Sequence, residues 1–369
     1  MAPERTPSRQ SSDGPMHRRL TRDLLTFEWT QLQPRAALLC LPALAVPLAI
    51  GVGTGHVRQG MMTAAGAFSV GFGSYQQFGS SRKLPMLVAA SGMCVSSWIG
   101  TLGGLVPTVA VLLTALGGMS YALAWRRGPG ASWVALQCLI WLIISTAFPA
   151  SGLRALTRGS FVLAGGLLQM AIITTAWRLT GHVPAAAIGT TRAAEPALVA
   201  RSPGARRWGH AVRVAVAMAM AMAVGQALPV ANGYWIPMTT AIVTRPELHH
   251  TYQRGAARIV GTLVGAALAT LIAWALHPLP SLLSALVVVF AAACYLLVYV
   301  NYAAFAVCLT SYVVFLLALA GAAEAATIAH RAVNTLIGGA LGGLAHASFA
   351  GGARIIQRLR APAGVVPRA

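Results

Sequence analysis

Apolar residues gather along this chain in long runs, several approaching or exceeding 18 residues without a charge, separated by short polar breaks. Runs of that length predict membrane-spanning helices. Twelve are read, at roughly 36 to 54, 60 to 79, 84 to 103, 105 to 125, 132 to 150, 158 to 177, 210 to 229, 233 to 245, 256 to 275, 279 to 299, 302 to 321 and 328 to 349. The eighth, from about Tyr234 to Thr244, is short, and reads as a half-span or as one that borrows the Pro and Gly residues before it. The expected fold is therefore all-α, a polytopic membrane protein of about 12 transmembrane helices in two pseudo-symmetric six-helix halves.

The halves follow from a repeat. A nine-residue pattern opens four of the apolar segments: RKLPMLVAA from Arg82, RGSFVLAGG from Arg158, RIVGTLVGA from Arg258 and RAVNTLIGG from Arg331. An Arg is followed after four residues by Leu, then after one more by two residues that are Gly or Ala. Seven residues along a helix return to nearly the same face, so the first small residue lies under its Arg, about 10 Å deeper. Each copy thus sets a cation above a groove free of side chains. The copies lie 76, 100 and 73 residues apart, which groups them as two pairs. Internal repeats of this kind are typical of transporters.

The polar remainder divides the chain further. Residues 1–35 form a tail, Pro/Ser/Arg-rich at first; from His17 to Gln31 the spacing of Leu20, Leu24 and Phe27 predicts an interfacial helix. The first six-helix half occupies 36–178, an Ala/Pro/Arg-rich linker 179–209, the second half 210–350 and a basic tail 351–369. The pair Arg18–Arg19 resembles a twin-arginine signal, but the following apolar run is long and lacks a clear cleavage site.

Composition changes the meaning of the charge. With 57% hydrophobic and 9% charged residues, a formal net charge of +20 speaks of topology rather than of nucleic acid. Placing the N-terminus in the cytoplasm puts 23 of the 27 Lys and Arg residues inside, leaving Arg58, Arg154, Arg158 and Arg331 outside. The positive-inside rule then predicts both termini in the cytoplasm of a bacterial inner membrane.

No nucleophile elbow, Gly-rich phosphate loop or paired carboxylates occur, so no enzyme and no cofactor is expected. His249 and His250 are adjacent and point apart on a helix, with Glu247 the single nearby acid, which makes a poor metal site. Cys40, Cys94, Cys138, Cys294 and Cys308 fall inside apolar spans as small hydrophobes, and Met218, Met220 and Met222 have the wrong period for one helical face.

The strongest local signal is NGYWIPMTTAIVTRPELHHTYQRGAARIVGTLVGAAL, from Asn232 to Leu268. In Tyr234, Trp235, Thr239, Pro246, Arg254, Arg258, Gly261, Thr262 and Gly265 the chain resembles the fusaric acid resistance and aromatic acid exporter proteins, a family of bacterial inner-membrane transporters. The first half is similar in degenerate form, with Gly60, Met62 and Thr63 placed like Pro237, Met238 and Thr239, but without the Tyr-Trp pair. The resemblance implies a two-times-six-helix domain exporting aromatic or other organic carboxylates. The aluminium-activated malate channels are similar in their six-helix unit, and there two subunits frame an anion path. Many larger relatives carry a soluble domain between the halves, where this chain has about thirty residues.

Elementary energetics points the same way. An Arg inside a span costs about 2.5–3.5 kcal/mol, and seven acids are too few to pair them all. The candidate substrate-binding residues are Arg258, Arg254, Arg331, Arg158, Arg82, Tyr234, Trp235 and Thr239, with Thr262 and Asn334 as further hydrogen-bonding groups. Arg82 and Arg258 are expected near the cytoplasmic mouth, Arg158 and Arg331 near the external one. Gly261, Gly265, Gly338, Gly339, Gly165 and Gly166 read as helix-packing residues. Glu324 and His330, flanking the last external loop, are the candidates for proton coupling. The expected partners are a small organic anion and the lipid bilayer, with a homo-oligomer left open. Two other readings stand beside organic-anion export: a passive organic-anion channel, and a non-transporting envelope or scaffold protein whose arginines bind anionic lipids.

Overall fold

The computed structural model describes residues 25–181, 204–245, 248–277, 279–321, 330–345 and 347. The expectations for the N-terminal 24 residues, most of the linker, Pro246, Glu247, the side chains of His249 and His250, Glu324 and the basic tail lie outside them.

All the regular structure described is helical. The elements are α1 (Pro34–Cys40), α2 (Pro42–Gly53), α3 (Val57–Gly71), α4 (Lys83–Gly103), α5 (Pro107–Ala124), α6 (Pro129–Thr146), α7 (Gly152–Thr180), α8 (Gly204–Ala227), α9 (Trp235–Val243), α10 (Leu248–Leu276), α11 (Pro280–Leu297), α12 (Tyr302–Leu319) and α13 (330–345). Among the described residues nine spans are long and apolar enough to cross a membrane, the first being α1 and α2 together. The protein is a multi-pass membrane protein.

Local chemistry explains where the helices start and stop. Pro34, Pro42, Pro107, Pro129 and Pro280 each sit in the first turn, where the missing N–H has no intrahelical partner to lose. Pro42 also divides the first span, read from the sequence as continuous, into α1 and α2. At the end of α7, Gly181 takes φ +65° and its N–H reaches the Trp177 carbonyl, a left-handed cap suited to glycine. The short eighth span is α9, nine residues or about 14 Å, half a bilayer core. Before it the chain turns through Asn232 at φ +58°, and Asn334 of α13 donates from Nδ2 to the carbonyls of Ala231 and Asn232.

The two halves repeat one packing scheme. In the first, α2 lies on α3, α3 on α7, α4 on both α6 and α7, and α5 on α6. In the second, α8 lies on α9, α10 on α12 and α11 on α12, while α13 packs Gly338 on Ile236 of α9 and Gly339 on Ile259 of α10. Shifting α2–α7 onto α8–α13 thus preserves each of these contacts, with Arg158 falling on Arg331 and Arg82 on Arg258. Between the halves α5 meets α8 and α2 meets α11, a pair of contacts related by the same exchange.

Most of the expected packing glycines sit at close approaches. A methyl group at Gly165 would come 1.8 Å from the Thr63 carbonyl oxygen, at Gly265 2.3 Å from that of Val307, and at Gly338 2.5 Å from that of Ile236. Gly166 and Gly261 face the Cβ atoms of Ala90 and Ala306 at 2.8 and 2.5 Å. Gly339 differs, with its nearest neighbour Ile259 Cδ1 at 3.5 Å, ordinary contact.

Of the interfacial helix expected from His17 to Gln31 only 25–31 are described: Leu25 is helical, 26–28 are irregular and Trp29–Gln31 form a 3₁₀ turn. The segment's backbone pairs elsewhere: the Glu28 N–H donates to the Val300 carbonyl, and Asn301 Nδ2 donates to the Thr26 carbonyl. Asn301 Oδ1 at the same time accepts the Ala304 N–H and caps α12. Asn301→Ala is expected to cost about 1 kcal/mol from the cap alone and to expose the segment around Thr26 to protease. Thermal unfolding in detergent and limited proteolysis check this, and an unchanged cleavage pattern would speak against the tether.

Candidate functional site: an arginine-ended cavity between the halves

A cavity of about 840 Å³ lies between the halves. Its long walls are α6 and α12, equivalent helices of the two halves. From α6 it is lined by Pro129, Trp133, Leu136, Ile140, Ile144 and Phe148, and from α12 by Tyr302, Phe305, Leu309, Val313, Leu316 and Ala320. Steps of three and four residues keep each set on one helical face. From Pro129 to Phe148 the lining extends about 28 Å, close to the thickness of a hydrocarbon core. The middle of the wall is mainly apolar, Leu136 and Ile140 on α6 and Leu309 and Val313 on α12, with Gln137 and Tyr312 among them.

The ends are cationic. Six arginines reach the wall and, among the described residues, no Asp or Glu does. Arg245 and Arg254 stand towards the end where α10 begins, and Arg58, Arg158 and Arg331 near the starts of α3, α7 and α13, at the other; Arg258, ten residues into α10, lies between, close enough for its charge to act on Arg331. Most lie against rings rather than carboxylates. Arg331 Cζ is 3.9 Å from the Trp235 ring centroid, Arg254 4.3 Å from Tyr302, Arg245 5.0 Å from Trp125 and Arg158 5.7 Å from Phe148. Each such stacking is worth about 0.5–2 kcal/mol, which offsets part of the cost of burying the cation without neutralising it.

Rings also connect the two halves. Phe148 of the first half lies 6.0 Å from Tyr234, and Tyr234 5.2 Å from Trp235. Arg158, Phe148, Tyr234, Trp235 and Arg331 therefore form one unbroken row across the end of the cavity.

The expected site residues separate on this frame. Arg258, Arg254, Arg331, Arg158, Tyr234 and Trp235 line the cavity. Arg82 does not; it precedes α4, half-buried, and its Nη1 donates to the Ser74 carbonyl at 3.4 Å. Thr239 is buried under Gly338, outside the lining. Arg258 lies ten residues into α10, about 15 Å along it, so it sits deeper than a mouth residue. His330 is half-buried next to Arg331 and off the cavity wall. Missing from the sequence reading are Arg58, Arg245 and both long walls. The aromatic residues at helical spacing in α6 and α12 were the available signal, and such stripes look alike whether they face a cavity, lipid or a neighbouring helix.

Helices, repeat and cavity together define an all-α polytopic membrane protein with a cavity between two related halves. Residues 207–345 match the family model described as fusaric acid resistance protein-like. The chain is similar to the uncharacterized membrane protein YvaC of Bacillus subtilis (strain 168), 25% identical over 146 residues, covering 38% of this chain and 22% of the other. It is also similar to the inner membrane protein YccS of Escherichia coli (strain K12), 32% identical over 87 residues, or 24% of this chain and 12% of that one. The chain thus spans less than a quarter of the length of these relatives. No solved structure matches the chain significantly.

Proposed function

We propose that the protein carries organic anions, aromatic carboxylates foremost, across the bacterial inner membrane through the cavity between its halves. One observation carries this reading. The lining side chains with buried polar atoms that find no partner within the described protein are Arg245, Arg258, Arg331, Trp125, Trp235, Tyr75, Tyr121, Tyr302 and Tyr312. Arginine and indole nitrogens can only donate, and phenols donate readily. A path walled by donors and rings is complementary to an anion that offers oxygen acceptors and a flat apolar body.

The alternative of a lipid-anchoring protein is less well supported by this geometry. Arg258 and Arg331 are each 1% exposed and turn to the cavity, whereas headgroup-binding arginines reach outward along the surface. With both termini in the cytoplasm, as the charge distribution favours, the membrane potential drives an anion outward by about 2.3 kcal/mol per charge per 100 mV.

Flux into and out of proteoliposomes tests the reading, using benzoate, malate and chloride under an imposed potential. Saturable, potential-sensitive benzoate flux above that of protein-free vesicles is expected, with chloride slower. Equal rates in loaded and empty vesicles for every anion would leave the lipid-binding alternative.

A further inference from the structure

The repeat suggests two equal sets of anion sites, one in each half. The surroundings of the four arginines are not equal. In the first half Arg158 is half-buried, stands over the Phe148 ring and donates from Nη1 to the Phe148 carbonyl. Arg82 is half-buried, off the cavity, and donates to the Ser74 carbonyl. Gly165 packs on Thr63 as Gly338 packs on Ile236, so the residue placed like Trp235 is Met62, which brings neither ring nor indole N–H to the wall.

In the second half the same positions are buried and unsatisfied. Arg331 is 1% exposed, with Nε, Nη1 and Nη2 all lacking a partner; Arg258 is 1% exposed, with Nε and Nη1 in the same condition. Trp235 Nε1 lies within reach of the Tyr234 hydroxyl but makes no hydrogen bond of good geometry, and all three side chains line the cavity. A guanidinium lying on a ring keeps its N–H bonds directed sideways, where a carboxylate can take two of them. Tyr234 and Phe148 continue the ring row beside it and supply an apolar surface for the rest of the ligand.

We propose that each chain holds one anion-binding site, in the second half only, with the carboxylate on Arg331 and Trp235 Nε1 and Arg258 as the second cation, while Arg158 and Arg82 brace the first half. This rests on the reading of the cavity as an organic-anion path. It deepens that reading by assigning stoichiometry and a division of labour between the halves. Arginines whose donors already meet backbone carbonyls gain little by exchanging them for a ligand, whereas an unpaired buried guanidinium recovers what it lost on leaving water.

The test is calorimetric titration of the full-length protein in detergent with benzoate. One equivalent should bind, weakened roughly 30-fold by Arg331→Gln and several-fold by Trp235→Phe, which keeps the ring and removes the N–H. Arg158→Gln and Arg82→Gln should change affinity less than about twofold. Arg331→Lys, which keeps the charge and loses the fork, should fall between, and its thermal unfolding shows whether the fold survives at that position. Two equivalents in the wild type, no binding at all, or an Arg158→Gln loss equal to that of Arg331→Gln would each overturn the inference. Single-site binding without flux would instead uphold this site and remove the transport reading, and flux with two symmetric sites would do the reverse.

Discussion

Gly165→Val should leave no folded protein to purify, whereas Gly152→Val should be recovered like the wild type. At Gly165 even a methyl carbon would lie 1.8 Å from the Thr63 carbonyl oxygen, and that oxygen belongs to the α3 backbone, which cannot turn aside like a side-chain tip. Helices α3 and α7 would have to part by more than 1 Å along their length, and in lipid such close packing is itself the main force holding helices together. Overpacking of this kind costs at least about 3 kcal/mol, against a total stability of roughly 5–15 kcal/mol. Gly152, at the exposed start of α7, has nothing within 4 Å of an added carbon. Gly339→Ala should likewise be tolerated, where Gly338→Ala, 2.5 Å from the Ile236 carbonyl oxygen, should not. Yield and thermal unfolding in detergent decide; normal recovery of Gly165→Val would mean that α3 and α7 do not pack as described.

The second large effect is expected from Arg258→Gln combined with Arg331→Gln. Benzoate flux should fall at least about 100-fold, since each charged hydrogen-bonding group contributes roughly 1.5–3 kcal/mol to holding an oxyanion. Stability should move the other way. Both guanidiniums are buried with nitrogens lacking partners, so replacing them with neutral amides removes a desolvation cost rather than an ion pair. The double variant should therefore unfold at a temperature no lower than the wild type. Loss of flux together with loss of fold would assign these arginines a structural part, and retained flux would move the anion path elsewhere.

Much of the architecture was legible in the sequence because membrane spans announce themselves by length and by lack of charge. All twelve spans have counterparts, α1 and α2 counting as one, and the short eighth is short in the structure. The repeated Arg pattern correctly gave the correspondence between halves, since Arg158 and Arg331 occupy the same place in equivalent helices. What the pattern could not give is the surroundings. Whether a guanidinium is satisfied depends on a carbonyl supplied by another segment, such as Phe148 just beyond α6, and nothing within the nine repeated residues encodes it. The walls were hidden for a related reason. Ile140 and Val313 are ordinary apolar residues in apolar helices, and only the packing of the halves turns their faces inward. Arg245 and Arg58 were passed over because they stand at the edges of apolar segments, where a charge reads as topology, though both line the cavity.

The duplication behind this fold has a geometric consequence. The approximate two-fold axis passes between α6 and α12, so a solute on that axis would see the same outline on either hand. It does not see the same chemistry. One rail carries bare donors at Arg258 and Arg331; on the other Arg158 is already tied to the Phe148 carbonyl. A flat acid in such a slot has a heads and a tails. On the proposed transport reading, such an acid keeps its carboxylate turned to the second half as it passes, and a bulky group is tolerated on one flank of the molecule and refused on the other.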